Sequence, residues 1–256
     1  AGQVIEFALP DSPDKTLWQG YARRAINAWV PLATEQDVLE ERAGKYTSVD
    51  EVLKEGNSKT LNHLACDNRC LNKKGDWFGM NALMTLKGDV DNLGLMFQKG
   101  LGHSGFAKTA ALSRQMNAFF STWLPYFCRS EARYRNVYTV FAGGDDFFLI
   151  GPWHSTILLA QEMRQAFQHY VAGNSAIHFS AGLSMSKPGL PINYLADQAE
   201  TMLKRAKNHN PTALMPAPKN TVTCFGRSAS WDDFLLLLEG ATRLDELREG
   251  FDLSTS

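Results

Sequence analysis

The stretch Val137–Gly151 decides how this chain is read: VYTVFA (137–142), then Gly143-Gly144-Asp145-Asp146, then FFLIG (147–151). Two runs of β-branched, aromatic and aliphatic residues joined by a Gly/Asp tetrad predict a β-hairpin with the tetrad at its tip. A strand turn projects Asp145 and Asp146 in a fixed geometry that a flexible loop does not hold. Gly143 and Gly144 keep the space above the turn free of side chains, so a phosphate chain can approach the backbone. Adjacent carboxylates repel, and a divalent cation stabilises both in the ionised form. An ordinary polar turn has the same composition, so the tetrad needs support from elsewhere in the chain.

That support lies upstream in Ala82–Gly94, ALMTLKGDVDNLG. The apolar run Leu83-Met84-Thr85-Leu86 leads into Asp89-Val90-Asp91-Asn92 and then Gly94, the pattern of a strand ending in carboxylates, a glycine-containing loop and a helix. Two-metal phosphoryl chemistry needs carboxylates from separate strands to clamp ions about 4 Å apart. Asp89 on one strand and Asp145 and Asp146 on a hairpin of the same sheet meet that need. The backbone N–H groups after Asp89 suit a phosphate nest. Taken singly, Asp89 and Asp91 also fit a solvated strand end with helix-capping duty.

LKGDVDNLG (86–94), FAGGDDFFLIG (141–151), SAGLSMSK (180–187) and ADQAETMLKRAK (196–207) follow one another in the order found in nucleotidyl-cyclase palm domains. The combination resembles the large subunit of type III CRISPR effector complexes, in the cyclase palm that makes cyclic oligoadenylates. It is similar, more distantly, to diguanylate cyclases, whose tetrad continues Glu-Phe where this chain has Asp-Phe-Phe. The resemblance spans roughly residues 79–225, with weaker likeness at RRAINAWVP (23–31) and around Trp231. It implies a Mg²⁺- or Mn²⁺-dependent nucleotidyltransferase using ATP. Asp89, Asp145 and Asp146 would be catalytic and, with the Val90 carbonyl, would hold the metals. Asp91, Asn92, Gly94, Gly143, Gly144, Ser180, Lys204 and Lys207 would line the nucleotide site, and Lys207 matches the lysine that such cyclases place on the phosphates. Lys187 flanks the same strand as Ser180. The implied partners are the other subunits of the complex, its guide and target RNA, and a first palm of the same subunit. Neither that palm nor the family's His-Asp nuclease doublet is visible in the sequence.

The bulk properties are compatible with this. With 256 residues, 44% of them apolar, the chain can bury a full core as one main domain with appendages. A net charge of −1 offers no global basic excess, so RNA contact would be local or made by partner subunits. Four unevenly spaced cysteines make no disulfide framework, which favours a reducing, cytoplasmic setting. No transmembrane-length apolar run or signal-peptide pattern occurs. Without Gly-x-Ser-x-Gly or a Gly-Lys-Ser/Thr loop, hydrolase and P-loop chemistry are poorly supported, and His103 and His178 have no nucleophile partner. Beginning at Ala1, the sequence reads as a piece of something longer.

Hydrophobic rhythm supplies the expected architecture. A strand at 83–90 precedes a helical segment over 104–130, with Leu112, Met116, Phe119, Trp123 and Phe127 on one face and a kink expected near Pro125. After the hairpin come a helix from Ser155, as N-cap, to Val171, an alternating strand over Ala176–Ser186, a helix from Pro191 to about Asn208, and a strand at Thr221–Phe225. The order β-α-β-β-α-β is that of a ferredoxin-like palm, an α+β fold, with an added helix and strand. Residues 1–78 read as an irregular inter-palm segment, with short helices at Tyr21–Trp29 (carrying Arg23 and Arg24) and Val49–Glu55. Residues 226–256 read as the start of a helical C-terminal domain. Cys66 and Cys70 flank a short segment that suggests zinc, but with only His63 nearby they read better as thiols. Two other functional classes fit the sequence: a non-catalytic nucleotide-binding palm scaffold and a diguanylate-type signalling cyclase. Asn208-His209-Asn210-Pro211, replacing the Gly-Arg-Asn of diguanylate cyclases, weakens the latter.

Overall fold

The structure is a computed structural model describing residues 29–46, 49, 51–96, 106–210 and 219–251. The expected helix at Tyr21–Trp29, apart from Trp29, and His103 lie outside the described residues. In chain order the elements are α1 (Glu35–Arg42), α2 (Leu61–Cys66), β1 (Cys70–Leu71), β2 (Trp77–Phe78), β3 (Leu83–Val90), α3 (Leu93–Leu95) and α4 (Phe106–Ala118). A π turn (Phe119–Trp123), α5 (Leu124–Ser130), β4 (Tyr138–Gly143), β5 (Asp146–Pro152), α6 (Trp153–Tyr170) and β6 (Phe179–Ser186) follow. The last are α7 (Ile192–Lys207), β7 (Thr221–Cys224), β8 (Arg227–Ser230) and α8 (Trp231–Phe251).

The main sheet runs β4-β5-β3-β6-β7-β8. Its first four strands, all antiparallel, with the intervening helices make the expected ferredoxin-like α+β palm. β7 adds parallel to β6, and β8 extends the sheet through a tight Phe225-Gly226 turn. The sequence pattern missed β8, because Arg-Ser-Ala-Ser has little strand propensity and depends on its neighbour. β3 is central and covered on both faces, which explains its near-continuous apolar run. Met84, Leu86 and Val90 join Phe147, Leu149, Phe179, Ala181 and Leu183 in the main core beneath the α4–α6 layer. Leu83 faces the other way, toward Ile150, Leu64 and Leu195. β6 begins at Phe179, later than expected. On its polar side Ser180 is fully buried and Ser186 nearly so, while Ser184 is partly exposed.

Over residues 106–130 the expected helical segment is continuous, but it is interrupted by a π turn rather than by a simple kink at Pro125. α4 and α5 are joined by the π turn, which places Phe120 and Leu124 in the core with Met116 and Phe119. Pro125 provides the reason: it has no N–H for the Ser121 carbonyl and its ring collides with that group, so the preceding turn widens. α6 starts at Trp153, which makes Ser155 an interior residue. Its first N–H groups are capped instead by Asn68, whose Oδ1 accepts from His154 N at 2.9 Å and Ser155 N at 3.3 Å.

Residues 29–78 are more ordered than the sequence suggested. Thr34 with Asp37 and Thr60 with His63 form capping boxes for α1 and α2. No helix forms among the described residues of 49–55; there the Glu51 carbonyl bonds to His63 Nε2. Lys59 is buried with its ammonium 2.7 Å from Asp37 and 3.0 Å from Asp67, so the charge is locally compensated. Cys66 is buried at the end of α2 and Cys70 is exposed on β1. α8 is a single helix, with Ser230 Oγ accepting from Asp233 N at 3.1 Å. No helix among the described residues is long and apolar enough to cross a membrane.

The contact that positions the site most directly is α7 on β6. A Cβ at Gly182 would lie 2.2 Å from Leu203 N and 2.6 Å from the Met202 carbonyl carbon. The helix backbone therefore rests on bare strand backbone. Gly182→Ala should lift α7 and cost about 3 kcal/mol or more, since the obstruction is backbone and cannot rotate away. A denaturation midpoint unchanged from wild type would disprove this packing.

Candidate active site

Antiparallel register assembles the carboxylates. Asp89 of β3 lies directly opposite Asp146 of β5, and Ser180 of β6 is its partner on the other side. Directly opposed residues share a sheet face with Cβ atoms about 5 Å apart. The hairpin tip is a two-residue turn, Gly144-Asp145, closed by the Gly143–Asp146 pair. Gly144 has φ 67°, the conformation such a turn demands at its first central position. Its N–H donates to Asn117 Oδ1 of α4 at 3.0 Å, and Asp145 O accepts from Val90 N at 2.9 Å. Asp89, Val90, Asp145 and Asp146 are thereby gathered at one end of the sheet.

The electrostatics follow from this crowding. Burial, then the neighbouring Asp145 carboxylate, pushes the Asp146 carboxyl up, while Lys87 opposes the shift. Lys207, at the end of α7, places its ammonium on the Asp89 carboxylate. Burial and then repulsion from Lys219 lower its pKa. Lys87 pairs with Glu200 at 2.7 Å.

The remaining candidates separate into groups. Asn92 has φ 57° and stands at the start of α3 without a capping hydrogen bond, its Oδ1 accepting instead from Lys219 Nζ at 2.9 Å, and Gly94 is exposed. Asp91 is not a nucleotide-facing group: it is wholly buried, and its Oδ2 accepts from Ser180 Oγ and His178 Nδ1, each at 2.8 Å, and from Asn220 N at 3.0 Å. Ser180 belongs to the same buried cluster, so neither side chain reaches a ligand over the sheet. Lys204 is largely exposed and pairs with Glu200 at 3.4 Å, away from Asp89. Lys187 follows the far end of β6, where Ser186 pairs with Leu83, roughly 20 Å along the strand from Asp89.

Asp89 and Asp146 fit a shared divalent cation. They face each other across adjacent strands, and a cation would offset the burial and the Asp145 charge that push the Asp146 carboxyl up. The third carboxylate does not converge: among the described residues no three Asp, Glu, His or Cys side chains form a metal-holding group. Asp145 would have to rotate inward from the turn to join the pair.

A sequence profile of the Cas10/Cmr2 second palm domain matches residues 82–214, just over half of the chain. The chain belongs to the Cas10/Cmr2 second-palm family. The Cas10 palm is 31% identical over 168 residues to a CRISPR system single-strand-specific deoxyribonuclease, Cas10/Csm1 of subtype III-A, from Methanocaldococcus jannaschii; the match covers 60% of this chain and 21% of the relative. It is 35% identical over 131 residues to the Enterococcus italicus protein of the same description, covering 50% and 17%. The chain thus spans about a fifth of the length of these curated relatives. Among solved structures it is similar to a Csm1–Csm4 cassette in complex with cA4 (TM-score 0.58, 26% identity, 70% of this chain and 26% of that one). A Csm1–Csm4 cassette in complex with one ATP gives a TM-score of 0.57 at 27% identity, with 70% and 25% covered. In this Cas10 palm, Asp89 lies opposite Asp146 with Lys207 on its carboxylate, while Asp145 does not join them.

Proposed function

We propose that this chain is the metal-dependent cyclase palm of a Cas10-type subunit, condensing ATP into cyclic oligoadenylate within an RNA-guided type III CRISPR complex in the cytoplasm. The observation that carries this reading is the Asp89–Asp146 pair with Lys207 at its rim, in a chain whose solved relatives hold ATP and cA4. Asp89, the Val90 carbonyl, Asp145 and Asp146 would hold the cations. When bound, such ions lower the pKa of a ribose hydroxyl and neutralise phosphate charge. Lys207, already beside Asp89, is placed to turn to the phosphates once the carboxylate is otherwise neutralised. Gly143 and Gly144 leave the hairpin tip free of bulk over the phosphate chain. Residues 79–225 would be the catalytic palm, and 226–256 the entry to a helical domain. A Csm4-like subunit, guide RNA, target RNA and the first palm of the full-length subunit would be the partners.

The test is to incubate the full-length subunit, assembled in its complex with target RNA, with labelled ATP or GTP and Mn²⁺ and to resolve the products. Cyclic oligoadenylate from ATP, and no comparable product from GTP, is expected. A cyclic guanine product would reverse the base assignment, and nucleotide binding without any product would favour a scaffold.

A further inference from the structure

The tetrad hairpin has little support of its own. β4 is an edge strand, its register against β5 shifts between Thr139 and Phe141, and Gly144 at the tip is exposed. In a two-residue turn the flanking pair, here Gly143 and Asp146, makes the closing hydrogen bonds, so the N–H groups of the two central residues are left over. The Gly144 N–H is nevertheless taken: Asn117 Oδ1 of α4 accepts it at 3.0 Å. A Cβ at Gly143 would lie 3.4 Å from the same oxygen and 3.9 Å from Ser121 Cβ. The end of α4 and the π turn therefore lie against both glycines of the tip.

Asn117 stands on that flank because of the π turn. In an unbroken α-helix residues seven apart share a face, so Asn117 would follow Leu124, which is fully buried. The wider turn, in which Leu124 N donates to Phe119 O, inserts one residue and rotates what precedes it by about 100° relative to Leu124. Met116 and Phe120 then share the core with Leu124, and Asn117 meets the hairpin. Ser121 Oγ donates to the Asn117 carbonyl at 2.5 Å, which ties the widened turn to the residue that holds the tip. We propose that Asn117 is a positioning residue for the carboxylates: it fixes the turn from which Asp145 and Asp146 project, and the π turn is the device that brings it there. It acts through the Gly144 backbone. Its effect on the reaction rests on the reading above that these carboxylates take a cation; its hold on the turn does not.

The test uses the chain with glycine-selective isotope labelling and compares wild type, Asn117→Ala and Asn117→Asp, with Asn117→Ala repeated in the Asp145→Asn/Asp146→Asn background. Two quantities are read: hydrogen exchange at the Gly144 amide, and Mn²⁺ affinity by titration. Asn117→Ala is expected to speed exchange at Gly144 and to weaken Mn²⁺ about three- to tenfold, the scale of one net hydrogen bond. Alanine is the better helix former, so the unfolding midpoint should not fall, which separates this effect from loss of fold. Asn117→Asp keeps an acceptor oxygen in place and should keep the Gly144 amide as slow as in wild type. In the double-asparagine background Asn117→Ala should leave the residual Mn²⁺ affinity unaltered, because its influence passes through those carboxylates. Unchanged Gly144 exchange in Asn117→Ala would overturn the assignment. So would unchanged Mn²⁺ affinity in a chain whose Mn²⁺ binding does depend on Asp145 and Asp146. Gly144 exchange governed by Asn117 in a chain whose Mn²⁺ binding ignores the tetrad would support the hold on the turn and retire the metal reading.

Discussion

Replacing Asp145 and Asp146 together by asparagine is expected to abolish cyclic product while leaving the palm folded. The backbone of the hairpin does not depend on either charge. It is held by the Gly143–Asp146 pair, by Gly144 N on Asn117, and by Val90 N on the Asp145 carbonyl. Asparagine preserves the shape of both side chains and removes the burial cost and the Asp145 repulsion that raise the Asp146 carboxyl. What disappears is the Asp146 charge facing Asp89 together with that of its neighbour Asp145, and with them the capacity to hold a cation where phosphate charge develops. Such a loss lowers the rate on the order of 10³-fold or more. Product formation within about tenfold of wild type by a double mutant with native circular dichroism would remove these carboxylates from the mechanism.

The second large effect concerns the chain on its own. These 256 residues are expected to bind one ATP in a Mn²⁺-dependent way yet make little cyclic product. Joining two triphosphates requires a donor and an acceptor held together, and the palm presents one carboxylate-bearing face. Aligning the second nucleotide is an orientation term worth about 7–11 kcal/mol when fully realised. Without a counterpart surface, turnover falls far more than single-ligand affinity. Restoring the full-length subunit in its complex should recover synthesis. Vigorous, RNA-independent synthesis by the chain as a strict monomer in sedimentation and product assays would show that one palm suffices.

The parts of the fold and site that were legible in the sequence are those with local causes. β3 was placed residue for residue because an apolar run ends in charged residues, and the hairpin because Gly-Gly-Asp-Asp has the chemistry of its turn. The pairing of Asp89 with Asp146 needed only the strand order of the palm. What escaped was non-local. Asp91 has the same strand parity as Asp89, and nothing in its neighbours indicates that Asn220, 129 positions later, closes over it. Lys219 stands twelve residues beyond the last lysine of α7, outside any recognisable pattern, and reaches the site only because β7 returns beside β6. The start of α6 was misplaced for the same reason: Ser155 has the right chemistry for a cap, but Asn68 already satisfies those N–H groups.

That cap belongs to a wider set of attachments. Trp29 Nε1 donates to the Arg135 carbonyl at 2.9 Å, Trp29 pairs with Thr139 on edge strand β4, and Leu64 and Ala65 of α2 pack on Leu83 and Ile150. Through Trp29, α2 and Asn68, the described residues ahead of 79 shield part of a sheet edge, cap a core helix and cover part of the sheet face that bears the carboxylates. The folding unit is therefore larger than the carboxylate-bearing motifs. The segment from Leu83 to Cys224 alone would carry the carboxylates but leave β4 open to pairing with foreign strands and α6 without its cap.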